Sequence, residues 1–271
     1  MSGTYLINLA RSTDRKAHMI GQLAKVGRQY EIIEAIDGRE LDLSKPEFSS
    51  GLLPYEFGCA LSHLRAYQKM LDDGVGVALI LEDDVLLPAD LNELVEAARQ
   101  HMAGAEAVLL HLQTQACVLT MAGAEQLPAG RKLVQVVDQG SPRSTAAYLI
   151  TREACERMLK IMGPPVRAVA DHWEVFYHEG ALDRVRCVVP TPVVASMDFA
   201  TTRDNLRPGS IAAFLVDTAN HLRVPGVYHL LRRRRKGFFA YLYSRMDFAS
   251  GESAANLPLL TRDSSDEQRL T

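Results

Sequence analysis

Three consecutive carboxylates, Glu82, Asp83 and Asp84, close a short apolar run from Val77 to Leu81. Acids packed this closely repel one another unless a cation is shared between them. Hard divalent ions such as Mg²⁺ or Mn²⁺ take oxygen ligands of this kind and can carry a substrate diphosphate at the same time. A second stretch with chemistry in it is NLARSTDR, Asn8 to Arg15, where Arg11 and Arg15 offer guanidinium forks that match diphosphate oxygens. A third is Asp171-His172-Trp173, which sets a carboxylate, an imidazole and the chain's only tryptophan side by side. Each has a plainer reading too. The acids could form a solvated turn, and Asp14 could simply sit at the positive end of a helix dipole. Asp171 could cap a short helix with Trp173 in the core.

Several elements must position these residues. Val77 to Leu81 is a continuous apolar run, as expected of a strand buried on both faces. The acids then lie at its C-terminal end, where open α/β sheets place their ligand crevices. Thr4 to Asn8 reads as a first strand. A helix follows it, capped near Ser12 or Thr13, with Met19, Ile20, Leu23 and Ala24 on one face and Gly27 closing it. Tyr30 to Ala35 is a second strand and Asp37-Gly38 a turn. This β-α-β start favours a parallel sheet with helices packed on it, and puts the Asn8–Arg15 loop at the same sheet edge as the acids.

Residues 39 to 53 are polar and irregular, a flap over that edge. Pro54 opens an amphipathic helix with Phe57, Ala60, Leu61, Leu64 and Leu71 on its buried stripe. Cys59, His63 and Tyr67 share an adjoining face. Ser62 and His63 are not a hydrolase pair, because helix neighbours point about 100° apart and no GxSxG elbow is present. After the acids, Asp90 and Glu93 predict a capping box. Strands are expected at Ala107–Leu112, Leu133–Val137, Ser144–Ile150 and Val185–Val189, with an irregular connection between the first two. Thr151 caps the helix that carries Cys155, Met158, Leu159 and Met162.

Composition bounds the partners. The 271 residues carry a net charge of −3, with 47% hydrophobic and 23% charged residues. That is an ordinary globular balance and gives no reason to expect nucleic acid. The four cysteines lie far apart with no CxxC spacing, which argues against a zinc site and fits a reducing compartment. No stretch approaches the ~18 apolar residues of a spanning helix, and the N-terminus lacks a signal-peptide pattern. A cytoplasmic protein is expected. Beyond residue 200 the character changes: Arg232 to Lys236 is a basic run between aromatic and aliphatic segments. Such a pattern suits peripheral contact with an anionic membrane through 222–249, on the inner face.

Taken together, NLARSTDR, AIDGREL, LPYEFGCALSHLRAY, ALILEDDV, STAAYLITREAC and ADHW stand in the order seen in family-25 glycosyltransferases, and over residues 4 to 200 the chain resembles that family. The family includes bacterial lipooligosaccharide galactosyltransferases and collagen galactosyltransferase domains. The resemblance implies a GT-A-type fold, a nucleotide-binding mixed α/β sheet with helices on both faces, in residues 1–200. Residues 201–271 would be a C-terminal, basic-aromatic helical extension. It implies a nucleotide sugar, commonly UDP-galactose, a Mn²⁺ or Mg²⁺ ion, and inversion at the anomeric carbon. The family's acidic motif falls on Glu82, Asp83 and Asp84. Its nucleotide-side loop falls on Asn8, Arg11 and Arg15, and its Ser-His helix on Ser62 and His63. Two departures stand out: Leu53 where members often have serine or threonine, and Pro192-Val193-Val194-Ala195-Ser196 where many have Pro-Leu-Val-x-Gln.

The expected assignment follows. Glu82 and Asp84 hold the metal, Asn8, Arg11, Arg15 and Asp83 serve the donor, and His63 and Trp173 bind substrate. Asp171 is the candidate general base, with Asp83 as its competitor. The acceptor is a glycan or a lipid-linked saccharide. A catalytically idle scaffold built on the same fold, and a metal-dependent phosphatase with an aspartyl nucleophile, are the competing functions.

Overall fold

Strand β1 (Ser2–Asn8) lies between two parallel neighbours, β2 (Glu31–Glu34) and β3 (Val77–Glu82). Each is reached through a helix: α1 (Thr13–Lys25) leads to β2, and α2 (Pro54–Asp72) leads to β3. The computed structural model describes residues 2–112, 118–137, 142–163, 165–196, 199 and 247–249, and the structural statements below concern these. The basic-aromatic segment 222–249 expected to contact membrane therefore falls, apart from its last three residues, outside the described part. Among the described residues no helix is long and apolar enough to cross a membrane.

The chain continues through β4 (Val85–Leu86), α3 (Leu91–Gln100), β5 (Glu106–Leu109), β6 (Val118–Gln126) and β7 (Lys132–Val136). It then forms β8 (Ala147–Thr151), α4 (Arg152–Met162), α5 (Trp173–His178), β9 (Arg184–Val189), β10 (Val194–Ala195) and β11 (Asp247–Ala249). Nine strands make one sheet in the order β11-β6-β7-β9-β5-β8-β3-β1-β2, while β10 pairs with β4 alone. The β-α-β start predicts parallel pairing, and β1, β2 and β3 have it. Antiparallel β8 inserted between β3 and β5 makes the sheet mixed. The architecture is the mixed α/β one that the resemblance implies.

Helices cover both faces. Met19 and Leu23 of α1 and Leu91, Leu94 and Val95 of α3 pack with Leu6, Leu79 and Leu81 on one side. Leu64, Tyr67 and Met70 of α2, Met158 of α4 and Phe176 of α5 pack with Tyr5, Ile80 and Tyr148 on the other. Alternate residues of β1 and β3 thus serve opposite cores, as a period of two requires. This is why Val77–Leu81 reads as unbroken apolar sequence.

Three local expectations need correction. The connection between β5 and β7 is not all irregular, because β6 occupies nine residues of it. Its register with β7 shifts between Thr120 and Glu125, so no clean alternation marks it in the sequence. Asp90 stands at the N-cap of α3 but makes no cap bond; Arg131 takes its carboxylate as an ion pair. Likewise the N-cap of α5 is His172 rather than Asp171.

The segment 39–53 holds two short 3-10 turns, Gly38–Glu40 and Pro46–Phe48, and packs against the start of α2. Gly38 and Gly58 make this approach possible. A Cβ on Gly38 would stand 1.9 Å from the Pro54 carbonyl oxygen, and one on Gly58 would stand 2.6 Å from that of Ile36. The close contact of these two backbones fixes the Asp37 turn beside the first turns of α2.

Candidate active site

The carboxyl ends of β1, β2 and β3, the start of β8 and the segment before α5 surround a cleft of about 680 Å³. Register explains who meets whom. Ile7 is opposite Glu82, so Asn8 and the residues after it face Asp83. Leu81 is opposite Ala147, and Glu82 donates its backbone N–H to Ala146, which brings Thr145 to the glutamate.

The three acids diverge. Glu82 accepts a 2.6 Å hydrogen bond from the Thr145 hydroxyl, and its Oε1 lies 3.4 Å from His63 Nε2. Asp83 turns inward, taking Asn8 Nδ2 on one oxygen and Arg15 on the other, both at 2.7 Å. Asp84 meets the second guanidinium nitrogen of Arg15 at 3.0 Å. Side-chain exposure is 31% for Glu82 and 29% for Asp84 but 9% for Asp83. Glu82 and Asp84 open on the cleft, therefore, while Asp83 and Arg15 form a withdrawn clamp. Burial raises the Asp83 carboxyl above its ordinary value, against the pull of Arg15 and Asn8. Burial first, and the Glu82 charge second, push Asp84 up to about 6. Both Asp83 oxygens are thus engaged, one by Asn8 at the end of β1 and one by Arg15 in the first turn of α1.

A second anionic point, Asp37, lies beside the loop after β1. Arg11 donates from Nε to Asp37 at 2.7 Å, and Arg39 pairs with the same carboxylate. These hydrogen bonds, Arg39's foremost, hold Asp37 well below the usual carboxylate range. Arg11, on the loop after β1, and Arg15, in the first turn of α1, are thereby directed to different acids.

His63 is buried on α2. Its Nδ1 meets the Tyr148 hydroxyl at 2.8 Å, and Tyr148 in turn meets Tyr67. Ser62 faces the β2 end instead, accepting from the backbone N–H of Ile36 and donating to the Gly58 carbonyl. Trp173 has no exposed surface. Its indole N–H donates to the Ser144 carbonyl, and its ring packs edge-on against Tyr148 at 5.2 Å. The sugar-stacking role expected of Trp173 is corrected accordingly, since neither ring face reaches the cleft. Asp171 does line the cleft, beside His172, and Arg143 reaches its backbone carbonyl at 3.4 Å.

His111 escaped sequence analysis, being one histidine after an apolar strand. Leu109 of β5 pairs with Tyr148, which brings His111 against the segment leading into β8. Its Nδ1 meets the Ser144 hydroxyl at 2.7 Å, whereas its Nε2 has no partner among the described residues. Ser144 itself holds a φ of 121°, a backbone region that costs a non-glycine residue of order 1–3 kcal/mol. Burial lowers the His111 imidazole to about 4, so the ring is neutral at ordinary pH. His111 Nε2 is itself a buried atom, although the residue contributes to the cleft wall.

The fold and this cleft define a mixed α/β protein whose acids and arginines gather at the carboxyl edge of its parallel strands. The family model described as glycosyltransferase family 25 (LPS biosynthesis protein) matches residues 1–173, and the chain belongs to that family. Among its relatives, procollagen galactosyltransferase 2 of Mus musculus is 32% identical over 95 residues, covering 30% of this chain and 15% of the relative. A glycosyltransferase 25 family member of Aedes aegypti is 33% identical over 99 residues, covering 31% and 16%. The chain thus spans about one sixth of the length of these curated relatives. A solved glycosyltransferase involved in glycosylation of the major capsid of PBCV-1 is 12% identical, with a TM-score of 0.36 over 69% of this chain and 80% of that one.

Proposed function

We propose that the chain is an inverting glycosyltransferase that moves a hexose, with galactose the first candidate, from a UDP-sugar to a glycan or lipooligosaccharide acceptor. One observation carries the reading. Glu82 and Asp84 open on the cleft, Asp84 beside the buried Arg15 guanidinium that also holds Asp83, and Glu82 beside His63. Carboxylate oxygens opening on a cleft are the donors that a hard divalent ion, Mn²⁺ or Mg²⁺, takes. When bound, such an ion supplies positive charge to the diphosphate as the sugar–phosphate bond breaks. Glu82 and Asp84 would hold it, directly or through water.

The chain's own residues perform the rest. Arg15 is locked by Asp83, with Asn8 bracing the same carboxylate, so its fork is oriented before any donor arrives. Arg11, seated on Asp37, offers the same kind of group to the cleft. Asp171, carried by a different wall, would take the proton of the acceptor hydroxyl as its oxygen bonds to the anomeric carbon. UDP leaves with the electron pair of the broken bond.

The test is calorimetric binding of UDP-galactose with and without Mn²⁺, in the parent and in Asp84→Asn. Metal-dependent binding in the parent and its loss in a folded Asp84→Asn protein are expected. Equal binding in both proteins overturns the metal assignment.

A further inference from the structure

We infer that Cys59, His63 and Glu82 form a second cation site, suited to a thiophilic or borderline ion of the Zn²⁺ class and distinct from the hard-ion position at Asp84. Cys59 Sγ, a His63 ring nitrogen and a Glu82 carboxylate oxygen lie within 4.8 Å of one another. Cys59 and His63 are four residues apart on α2, so both side chains project from one helix face. Glu82 reaches them from the end of β3, and all three line the cleft.

The surroundings prepare each ligand. Tyr148 holds His63 Nδ1 at 2.8 Å, which leaves Nε2 directed at Glu82. A hydrogen bond on the far ring nitrogen is the usual means of orienting a metal-bound imidazole. Thr145 fixes Glu82 Oε1 on the same side. Thiolate, imidazole and carboxylate together are a Zn²⁺ donor set, whereas Mg²⁺ and Mn²⁺ prefer oxygen alone. Zn²⁺ bonds of about 2.0–2.3 Å place ligand atoms ~3.3–3.8 Å apart; His63 Nε2 and Glu82 Oε1 already stand at 3.4 Å, and the whole set lies within 4.8 Å. Three protein ligands leave the fourth position facing the cleft. On binding, the Cys59 thiol gives its proton to solvent.

The site itself stands apart from the sugar-transfer reading; one consequence rests on it. Glu82 cannot serve both positions at once, so Zn²⁺ would act as a competitive antagonist of Mn²⁺ in transfer.

Metal-stripped, reduced full-length chain should be titrated with Co²⁺, whose thiolate complexes absorb in the near ultraviolet. A charge-transfer band that saturates with one Co²⁺, and that Zn²⁺ bleaches, is expected. Cys59→Ser, close in size at a half-buried position, should abolish the band, and Asp84→Asn should leave it intact. Absence of the band in the parent, or its survival in Cys59→Ser, overturns the site. Because Asp84→Asn is scored for the band and separately for Mn²⁺-dependent donor binding, failure of one proposal is distinguishable from failure of the other.

Discussion

Asn8 and Asp83 are 75 residues apart in the chain, yet the asparagine amide donates to the Asp83 carboxylate at 2.7 Å. Parallel pairing of β1 with β3 brings them together, and the first turn of α1 adds Arg15 to the same carboxylate. Sheet register, with no long-range loop folding, therefore builds the donor side of the cleft. Beyond it, β4 keeps its course because Gln22 of α1 bonds the Val85 carbonyl and the Leu87 amide. On the other edge, β10 pairs with β4 and Ser196 donates its backbone N–H to the Asp84 carbonyl.

The clamp predicts a sharp response to Arg15→Met. Arg15 and Asp83 are both nearly buried, so the substitution strands an uncompensated carboxylate. Breaking a buried pair in this way costs about 3–5 kcal/mol. Urea denaturation should show a loss of that order in the single variant. The double variant Arg15→Met, Asp83→Leu should recover a large part of it. A loss confined to the ~1 kcal/mol of an exposed pair would show the clamp to be solvated.

Asp84 predicts how cation binding depends on pH. Its carboxyl is pushed up to about 6 by burial and by Glu82, so without metal it holds its proton to an unusually high pH. Proton and metal compete for one oxygen site. Mn²⁺ affinity should be level above about pH 7 and fall as pH drops through 6, before ordinary carboxylates titrate. Isothermal titration at pH 5 and 7.5 checks this, and identical affinities would contradict it.

His111 predicts the pH dependence of stability in the opposite region of the cleft. Its folded value of about 4 lies below the ordinary 6.5, so the unfolded chain binds the proton first as pH falls. Stability is then fully present above pH 6.5 and declines toward pH 4, by at most on the order of 3 kcal/mol for so large a displacement. His111→Leu should flatten that part of the profile in chemical denaturation. An unchanged slope in the variant would assign it to other groups.

Trp173 tests the correction made to the sequence expectation. Trp173→Phe strands the Ser144 carbonyl and leaves space beside Tyr148, which should cost about 1–3 kcal/mol of stability. Donor affinity, by contrast, should stay within a factor of about two of the parent, because the ring does not reach the cleft. A selective loss of binding with stability intact would restore the stacking role.

How legible was all this in the sequence? The Val77–Leu81 strand and the β-α-β start were readable because continuous apolar runs and helical periodicity carry their own signal. The position of Glu82 to Asp84 at a strand end followed from them. What the sequence could not reveal was the divergence of the three acids. That depends on β8, an antiparallel strand whose place beside β3 has no local signature, and which delivers Thr145 to Glu82. His111 and Asp37 were hidden for the same reason: a single titratable residue after a strand looks alike whether it faces solvent or a cleft. Trp173 misled because an aromatic beside a carboxylate has the same spelling in a core as in a sugar site.

Asp171 is the base in the proposed transfer, and its test separates binding from chemistry. It is borne by the segment before α5, on a wall distinct from the β1 loop and first turn of α1 that carry Arg11 and Arg15. An inverting displacement needs its base on the side of the anomeric carbon away from the departing phosphate, so the two functions must come from different walls. In Asp171→Asn the side chain keeps its size and loses only the ability to accept a proton. UDP binding should therefore persist while turnover falls by about 10²–10⁴-fold, the usual contribution of a positioned base. Parallel loss of both would make Asp171 a binding residue. Full turnover with intact binding would place the base elsewhere on that wall, with His172 the next residue to replace.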